Sequence, residues 1–181
     1  EWYLEGRLPL HTLRSDIDFG ATLQARLTAE GVPAGLANAA AKTLAAAWDG
    51  WFAKFTGSLL YPLFMAYPGP FAPPMPNVPV PLVAAGVSTG WEALTPLALE
   101  QAFLAMPGIP KTSDVERAAR QVAFWFADKF ARFCMTTQVT LVMGEGPVPS
   151  FSPHMMPVAP VMGGKMSSGR GVLLGGDVFS E

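Results

Sequence analysis

Few residues of this chain have the types and the spacing that chemistry needs. The run Gly163-Gly164-Lys165-Met166-Ser167 is similar to a phosphate-binding loop. It lacks the glycine that such a loop carries four residues earlier, and Met166 stands where Ser or Thr should follow the lysine. We therefore interpret the run as part of a flexible tail.

One cysteine and two histidines leave little for metal or nucleophilic chemistry. Cys134 follows Phe133 and has no neighbouring His, so we interpret it as a buried, inert thiol. His154 precedes Met155 and Met156, a set that could hold copper(I), but we interpret it as a packing contact because no second ligand cluster exists. A single cysteine excludes an internal disulfide framework and a Cys-based zinc site. We expect no catalytic, cofactor-binding or metal-binding residue, no cofactor and no enzymatic activity.

Acidic and aromatic side chains give two further candidates. Asp49 and Asp128 occupy neighbouring positions of two predicted helices, and we interpret them as surface acids rather than as a catalytic pair. Both helices carry aromatic sets that could form a ligand box, but packing in a core or an interface is the more common role. The sets are Trp48, Trp51, Phe52 and Phe55 in one helix and Phe124, Trp125, Phe126, Phe130 and Phe133 in the other. Because three of these aromatic residues are consecutive, some must face a second surface.

Composition limits the classes of partner. The chain has 181 residues, of which half are hydrophobic and 14% are charged, with a formal net charge of −2. One domain or two very small ones fit this length. The near-neutral balance argues against nucleic acid as the main partner. No charged residue lies between Lys54 and Glu92, but the many prolines there exclude a continuous membrane-spanning helix. No secretory signal is visible at Glu1.

The chain also repeats itself. Residues 41–55 align with residues 119–133 without a gap. A short apolar run, a Gly-Pro pair and a proline-rich ladder follow each copy in the same order. The identical pairs are Ala41/Ala119, Ala45/Ala123, Phe52/Phe130, Ala53/Ala131 and Phe55/Phe133. This order predicts an internal duplication of two fused units.

We predict a helix-rich α+β fold of two related helix–helix–strand units, with extended proline-rich arms and a Gly-rich C-terminal tail. The first unit covers 1–90, with helices over 16–30 and 33–56 and an extended arm over 59–82. The second unit covers 91–162, with helices over 95–106 and 113–134, a strand over 136–143 and an arm over 144–161. Residues 163–181 form a flexible or partner-docked tail.

Local signals define the helix ends and faces. Ser15 is the expected N-cap of the first helix, which Gly31 stops. Thr95 caps the third helix before Pro96, and Ser113 opens the fourth with Glu116 at capping-box spacing and in reach of Arg120. The expected buried stripes are Leu36, Ala40, Leu44, Trp48, Trp51 and Phe55, and Val115, Ala119, Val122, Phe126, Phe130 and Phe133.

The run GEGPVPSFSPHMMPVAPVMGG, after a long aromatic helix and a short β-like run, resembles segments of minor structural proteins of tailed phages and phage-derived contractile particles. The resemblance covers the last third of the chain, and the first ladder repeats it. It implies a component of a virion or of a phage-tail-like particle. It transfers no functional residue.

From these observations we expect a non-enzymatic structural subunit of a multi-subunit assembly. Proline-rich arms are restricted before binding, so docking them on a neighbour costs less conformational entropy. The expected partners are further copies of the chain and other particle subunits, and the expected location is the virion, or the host cytoplasm during assembly. The alternative is a binding module for a hydrophobic ligand or a membrane surface, which would use the exposed aromatic helix faces.

Overall fold

A computed structural model gives the architecture of the chain. It describes residues 2–7, 10–15, 18–61, 64–65, 75–145, 158–159, 165–166 and 172–174. These residues form helices and small antiparallel sheets. The fold is therefore α+β and helix-rich, as the sequence predicts.

The elements are numbered in chain order. The helices are α1 (Phe19–Ala29), α2 (Ala34–Ala53), α3 (Leu82–Ala85), α4 (Pro96–Leu104) and α5 (Ser113–Thr136), with a 3-10 helix η1 over Thr89–Leu94. The strands are β1 (Trp2–Arg7), β2 (Leu10–Ser15), β3 (Phe55–Ser58), β4 (Phe64–Met65), β5 (Met75–Pro76), β6 (Val80–Pro81), β7 (Gly86–Ser88), β8 (Gln138–Thr140), β9 (Met143–Glu145), β10 (Val158–Ala159), β11 (Lys165–Met166) and β12 (Val172–Leu174).

The chain divides into two compact units, each assembled from separate stretches of sequence. The helical unit comprises Asp16–Lys54 and Ser88–Arg132. The sheet unit comprises Glu1–Ser15, Phe55–Val87 and Phe133–Glu181. The sequence-based division into 1–90, 91–162 and 163–181, and the duplication behind it, stay predictions.

The first helix begins later than its sequence suggests. Asp18 is the N-cap of α1, and its side chain accepts a hydrogen bond from the backbone N–H of Ala21 at 2.9 Å. The expected cap, Ser15, instead lies in β2, where its Cα pairs with that of Trp2. That assignment of Ser15 is wrong because pairing with β1 extends the strand up to this residue. Gly31 follows the helix end with a φ of 82°, a conformation that glycine adopts without strain.

The caps of α4 and α5 follow from local chemistry. Thr95 caps α4 as predicted, with Pro96 at the first helical position. At α5 the backbone N–H of Val115 donates to the hydroxyl of Thr112 at 3.4 Å, so Thr112, rather than Ser113, supplies the side-chain cap.

Helix α5 buries one face, whereas the buried residues of α2 extend around more than half of the helix. In α5, Ala119, Ala123, Phe126 and Phe130 are buried at spacings of four, three and four residues. The prediction that Val122 belongs to this stripe is wrong. Val122 is 45% exposed, because Ala123 takes the position between Ala119 and Phe126 on the buried face. In α2 the buried residues are Ala37, Ala39, Ala41, Thr43, Leu44, Ala47, Trp48 and Trp51.

In the structure, the strand that the sequence predicts over 136–143 is divided between several elements. Helix α5 continues to Thr136, and the rest of the run forms β8 and the start of β9. Leu141 lies between these two strands with a φ of 58°, a conformation that costs a branched side chain free energy. Leu141 therefore separates β8 from β9 within the run that the sequence predicts as one strand.

The proline-rich stretch that the sequence assigns to an extended arm pairs within the chain where it is described. Pro76, in β5, pairs with Met143, and Pro81, in β6, pairs with Gln138. Among the described strands, both lie at sheet edges, in the orders β5-β9-β11-β1-β2-β3-β7 and β12-β8-β6. Proline lacks an N–H, and an edge strand tolerates that loss because one of its sides has no neighbour.

Candidate functional site

The aromatic residues of α2 and α5 form the core of the helical unit. Trp48, Trp51, Phe126 and Phe130 are all buried. The ring of Phe130 meets those of Trp51 and Trp48 edge-on, with centroids 4.9 and 5.3 Å apart. Phe19 stacks on Trp48 at 5.0 Å. Such distances are those of favourable aromatic pairs, so core packing, rather than a ligand box, accounts for this set.

A second group of aromatic residues faces outward. Phe124 is 60% exposed and Trp125 is 46% exposed, while Phe126 is buried. The expectation that three consecutive aromatic residues cannot all face one core is confirmed. The rotation of about 100° per residue in an α-helix turns Phe124 and Trp125 away from the buried face.

The exposed aromatic pair lies between two ion pairs along the same helix. Upstream, Arg117 Nη2 lies 2.7 Å from Asp114 Oδ1. Downstream, Arg132 Nε lies 3.0 Å from Asp128 Oδ2. We call this surface the α5 outer face and define it by exposed residues that lie three, four or seven positions apart. They are Asp114, Arg117, Gln121, Phe124, Trp125, Asp128 and Arg132.

A third arginine of α5, Arg120, forms an ion pair with a residue of α4. Arg120 Nε donates to both carboxylate oxygens of Glu100, at 3.2 Å each, and Arg120 Nη2 donates to Oε1 at 3.0 Å. These bonds and the charge of Glu100 raise the pKa of the Arg120 guanidinium. The bidentate pair links α4 to α5, whereas the sequence favours Glu116 as the partner.

In the sheet unit, one asparagine binds the backbone on both sides of Leu141. Asn77 is 2% exposed, and its amide Nδ2 donates to the carbonyl oxygens of Val78 and Val139 at 2.8 and 3.0 Å. Asn77 Oδ1 accepts from the backbone N–H of Val142 at 3.0 Å, and Asn77 N donates to the carbonyl of Val142 at 3.1 Å. We call this set the Asn77 clamp. Sequence reasoning missed it; the available signal was one amide in a segment without charges, since a buried amide needs partners.

The acidic candidates of the sequence are surface residues. Asp49 and Asp128 are both exposed, as predicted. Partial loss of solvent raises the pKa of Asp49, and the charge of Asp18 raises it further. Asp128 is held by Arg132. The nearby charge that acts on Asp49 is thus that of Asp18.

The remaining candidates fall largely outside the described residues. Lys165 and Met166 form β11, which pairs with β9, while Gly163, Gly164 and Ser167 lie outside. His154, Met155 and Met156 lie outside too. Within the described part of the chain, no group of three or more His, Cys, Asp or Glu side chains could hold a metal ion. No described helix is long and apolar enough to cross a bilayer.

Cys134 is buried in the sheet unit, as predicted. Burial raises its pKa to about 12, and burial likewise raises the pKa of Tyr61 to about 12. A thiol 3% exposed with so little thiolate is a poor nucleophile.

The thiol of Cys134 should therefore react with a disulfide reagent at pH 8 at least ~100-fold more slowly in the folded protein than in denaturant. Because the pKa of this thiol is raised on folding, Cys134 also makes stability depend on pH. The contribution of Cys134 to stability is complete below pH 9 and is lost as the pH rises from 9 towards 12. Absorbance of the released reagent measures the rates, and equal rates in the two states would show that the thiol is accessible.

Comparisons with known proteins find short stretches of high identity. The chain is 85% identical over 20 residues to the small ribosomal subunit protein uS3 of Acidobacterium capsulatum, covering 11% of this chain and 9% of that protein. It is 82% identical over 22 residues to uS3 of Kosmotoga olearia, covering 12% and 10%. It is 66% identical over 32 residues to uS3 of Bartonella henselae, covering 18% and 13%. The chain thus spans about a tenth of the length of these relatives. No family model and no solved structure matches it.

These matches overturn the phage-related predictions. The resemblance to phage and contractile-particle proteins is wrong, as are the structural-subunit role, the virion location and the viral keywords that follow from it. The expectation that nucleic acid is not a main partner is wrong as well, because a ribosomal subunit is a particle of RNA and protein. The resemblance depended on the proline-rich run 144–164, of which the structure describes only Gly144, Glu145, Val158 and Ala159.

Proposed function

We propose that this chain acts at the small ribosomal subunit and binds there through the segment that it shares with uS3. The observation that carries the proposal is the 85% identity over 20 residues. At that identity almost every side chain of the segment is kept, so its contacts with a ribosomal neighbour would be kept too. Specific contacts, rather than the fold, determine a binding function.

The matched stretch is a small part of uS3, which limits the role that it supports. About nine-tenths of uS3 has no counterpart in the matches. We therefore propose an additional protein of the small subunit, located on the ribosome, rather than a replacement for the whole of uS3. We further propose that this role is non-enzymatic. Its support is that Cys134 is a buried thiol with a raised pKa and that Asp128 is held in an ion pair.

Co-sedimentation tests the ribosomal role. The purified full chain should migrate with bacterial small subunits through a sucrose gradient. It should bind subunits lacking uS3 more tightly than complete ones, because the shared segment would compete with that of uS3 for one site. The fraction of chain in the subunit peak, measured by immunoblot, gives the result.

Two comparisons make this experiment decisive. Added uS3 should displace the chain from subunits lacking uS3, whereas an unrelated ribosomal protein should not. If the chain stays at the top of the gradient with both kinds of subunit, the ribosomal role is wrong.

We also propose that the chain contains the internal duplication that its sequence indicates. The order helix–helix–strand occurs twice, as α1–α2–β3 and as α4–α5–β8. Three aligned pairs share the buried state: Ala41/Ala119, Trp48/Phe126 and Phe55/Phe133. The match is incomplete, since Leu44 is buried while its counterpart Val122 is exposed. We likewise propose that extended proline-rich arms and a Gly-rich C-terminal tail accompany the two units.

A further inference from the structure

We propose that helix α1 is a lid, which detaches from α2 and unfolds while α2 and α5 stay folded. The lid is a conformational device within the helical unit, and it is independent of the ribosomal role proposed above. A segment can open in this way when it buries little apolar surface and when its hydrogen bonds do not tie it to its neighbours.

Burial holds α1 only weakly. None of its 11 residues is fully buried, whereas α2 buries eight of its 20 residues. The partly buried residues of α1 form one narrow stripe, which consists of Phe19, Gly20, Leu23 and Leu27. Detaching α1 therefore exposes much less apolar surface than unfolding the helical unit does.

The polar bonds of α1 are internal. Asp18 accepts hydrogen bonds from Ala21 and Thr22, and Arg26 forms an ion pair with Glu30 at 3.3 Å. At the other end, backbone N–H groups as far as residue 32 donate to carbonyls of the last turn. Among the described residues of α1, no hydrogen bond or ion pair reaches α2, so detachment breaks none between the two helices.

Like charges oppose the docking of α1. Asp18 is the N-cap of α1, and Asp49 lies in α2. Partial loss of solvent raises the pKa of Asp49, and the nearby charge of Asp18 raises it further. Two ionised carboxylates repel each other, and separating the two helices relieves that repulsion.

One aromatic stack anchors the lid. The ring of Phe19 stacks on Trp48 with centroids 5.0 Å apart, and it lies 6.2 Å from the ring of Phe126. Beside it the backbones approach closely, since a Cβ added at Gly20 would lie 3.1 Å from that of Ala45. A helix of 11 residues is marginal in water on its own, so α1 unfolds when this anchor is released. Trp48 and Phe126 then lose their cover on that side.

Hydrogen exchange of the full chain, followed by mass spectrometry, tests the lid. The amides of residues 23–29 should exchange at least ~100-fold faster than those of residues 44–51, because α1 opens without unfolding of the whole unit. Equal rates in the two ranges would show that α1 opens only together with α2, and the lid would be wrong.

A disulfide between the helices distinguishes detachment from fraying of a docked helix. In the double variant Gly20→Cys with Ala45→Cys, the Cβ separation is within about 0.5 Å of the range that a disulfide spans. Oxidation should slow exchange over 23–29 at least ~10-fold, and the reduced double variant is the matched control. If the oxidised and reduced forms exchange alike, the amides exchange from the docked helix and the lid is wrong.

Single substitutions should move the lid in opposite directions. Phe19→Ala removes the aromatic stack and should accelerate exchange over 23–29 about tenfold. Asp49→Asn removes the like charge and should slow that exchange severalfold at pH 7. Phe124→Ala, on the α5 outer face, removes the same type of side chain away from α1 and should leave the exchange unchanged. Equal acceleration by Phe19→Ala and Phe124→Ala would contradict the lid, because the effect would then belong to the whole helical unit.

Discussion

Asn77→Ala should lower the free energy of unfolding of the sheet unit by about 3 kcal/mol. The substitution removes all three side-chain bonds of the Asn77 clamp and leaves the N–H of Val142 and the carbonyl of Val139 without these partners. A buried polar group that loses its partner costs about 1–3 kcal/mol. Urea unfolding followed by far-UV circular dichroism measures the loss. Hydrogen exchange at the amide of Val142 should accelerate most.

The other asparagine of the chain supplies the control. Asn38 lies within α2, and Asn38→Ala should leave stability within about 0.5 kcal/mol of the original or raise it slightly, because Ala is the better helix former. Similar losses for Asn38→Ala and Asn77→Ala would show that the bonds of the Asn77 clamp do not stabilise the sheet unit.

Introducing a charge at Asn77 gives a sharper test of the geometry of the Asn77 clamp. Asn77→Asp keeps an acceptor for the N–H of Val142 but places a carboxylate oxygen against the carbonyl of Val139. At pH 7 this variant should be less stable than Asn77→Ala. Its stability should rise as the pH falls, because the protonated carboxyl can donate a hydrogen bond and burial raises its pKa above that in the unfolded chain.

Features that depend on adjacent residues could be predicted from the sequence. Thr95 and Pro96 define a helix start by their own hydroxyl and ring, so the start of α4 follows from two letters. The buried face of α5 follows from its periodicity, and the only error in its centre was to prefer the larger Val122 over Ala123. The outward position of Phe124 and Trp125 followed from the same geometry.

Features that depend on distant residues could not be predicted in this way. The run after α5 has the composition of one strand, but the structure divides it at Leu141, and the residues on both sides bind Asn77, which lies more than 60 residues earlier. Ser15 has the side chain of a cap, but strand pairing with Trp2 determines its conformation. In both cases a tertiary contact overrides a local preference. The identity of a ribosomal segment has no physical signature in composition, so only comparison could provide it.

Gly90→Ala should destabilise the helical unit by about 3 kcal/mol, the upper end of the usual cost of overpacking a core. A Cβ at this position would lie 2.5 Å from the carbonyl oxygen of Gly50 and 2.6 Å from the Cα of Trp51. Both atoms belong to the backbone of α2, which cannot move aside as a side chain can. The Ser88 hydroxyl, which donates to the carbonyl of Trp51 at 2.6 Å, holds η1 at this short distance.

Gly50→Ala is the matched variant on the other side of the same contact. A Cβ at Gly50 would meet no atom within 4 Å, and Gly50 lies inside α2. This substitution should therefore raise stability by about 0.5–1 kcal/mol, the gain in helix propensity from Gly to Ala. Tryptophan fluorescence in a urea titration reports on both variants, since Trp48, Trp51 and Trp91 all lie in the helical unit. Shifts of equal sign would mean that helix propensity, rather than the close approach of η1 to α2, determines the response; opposite signs would establish the backbone contact at Gly90.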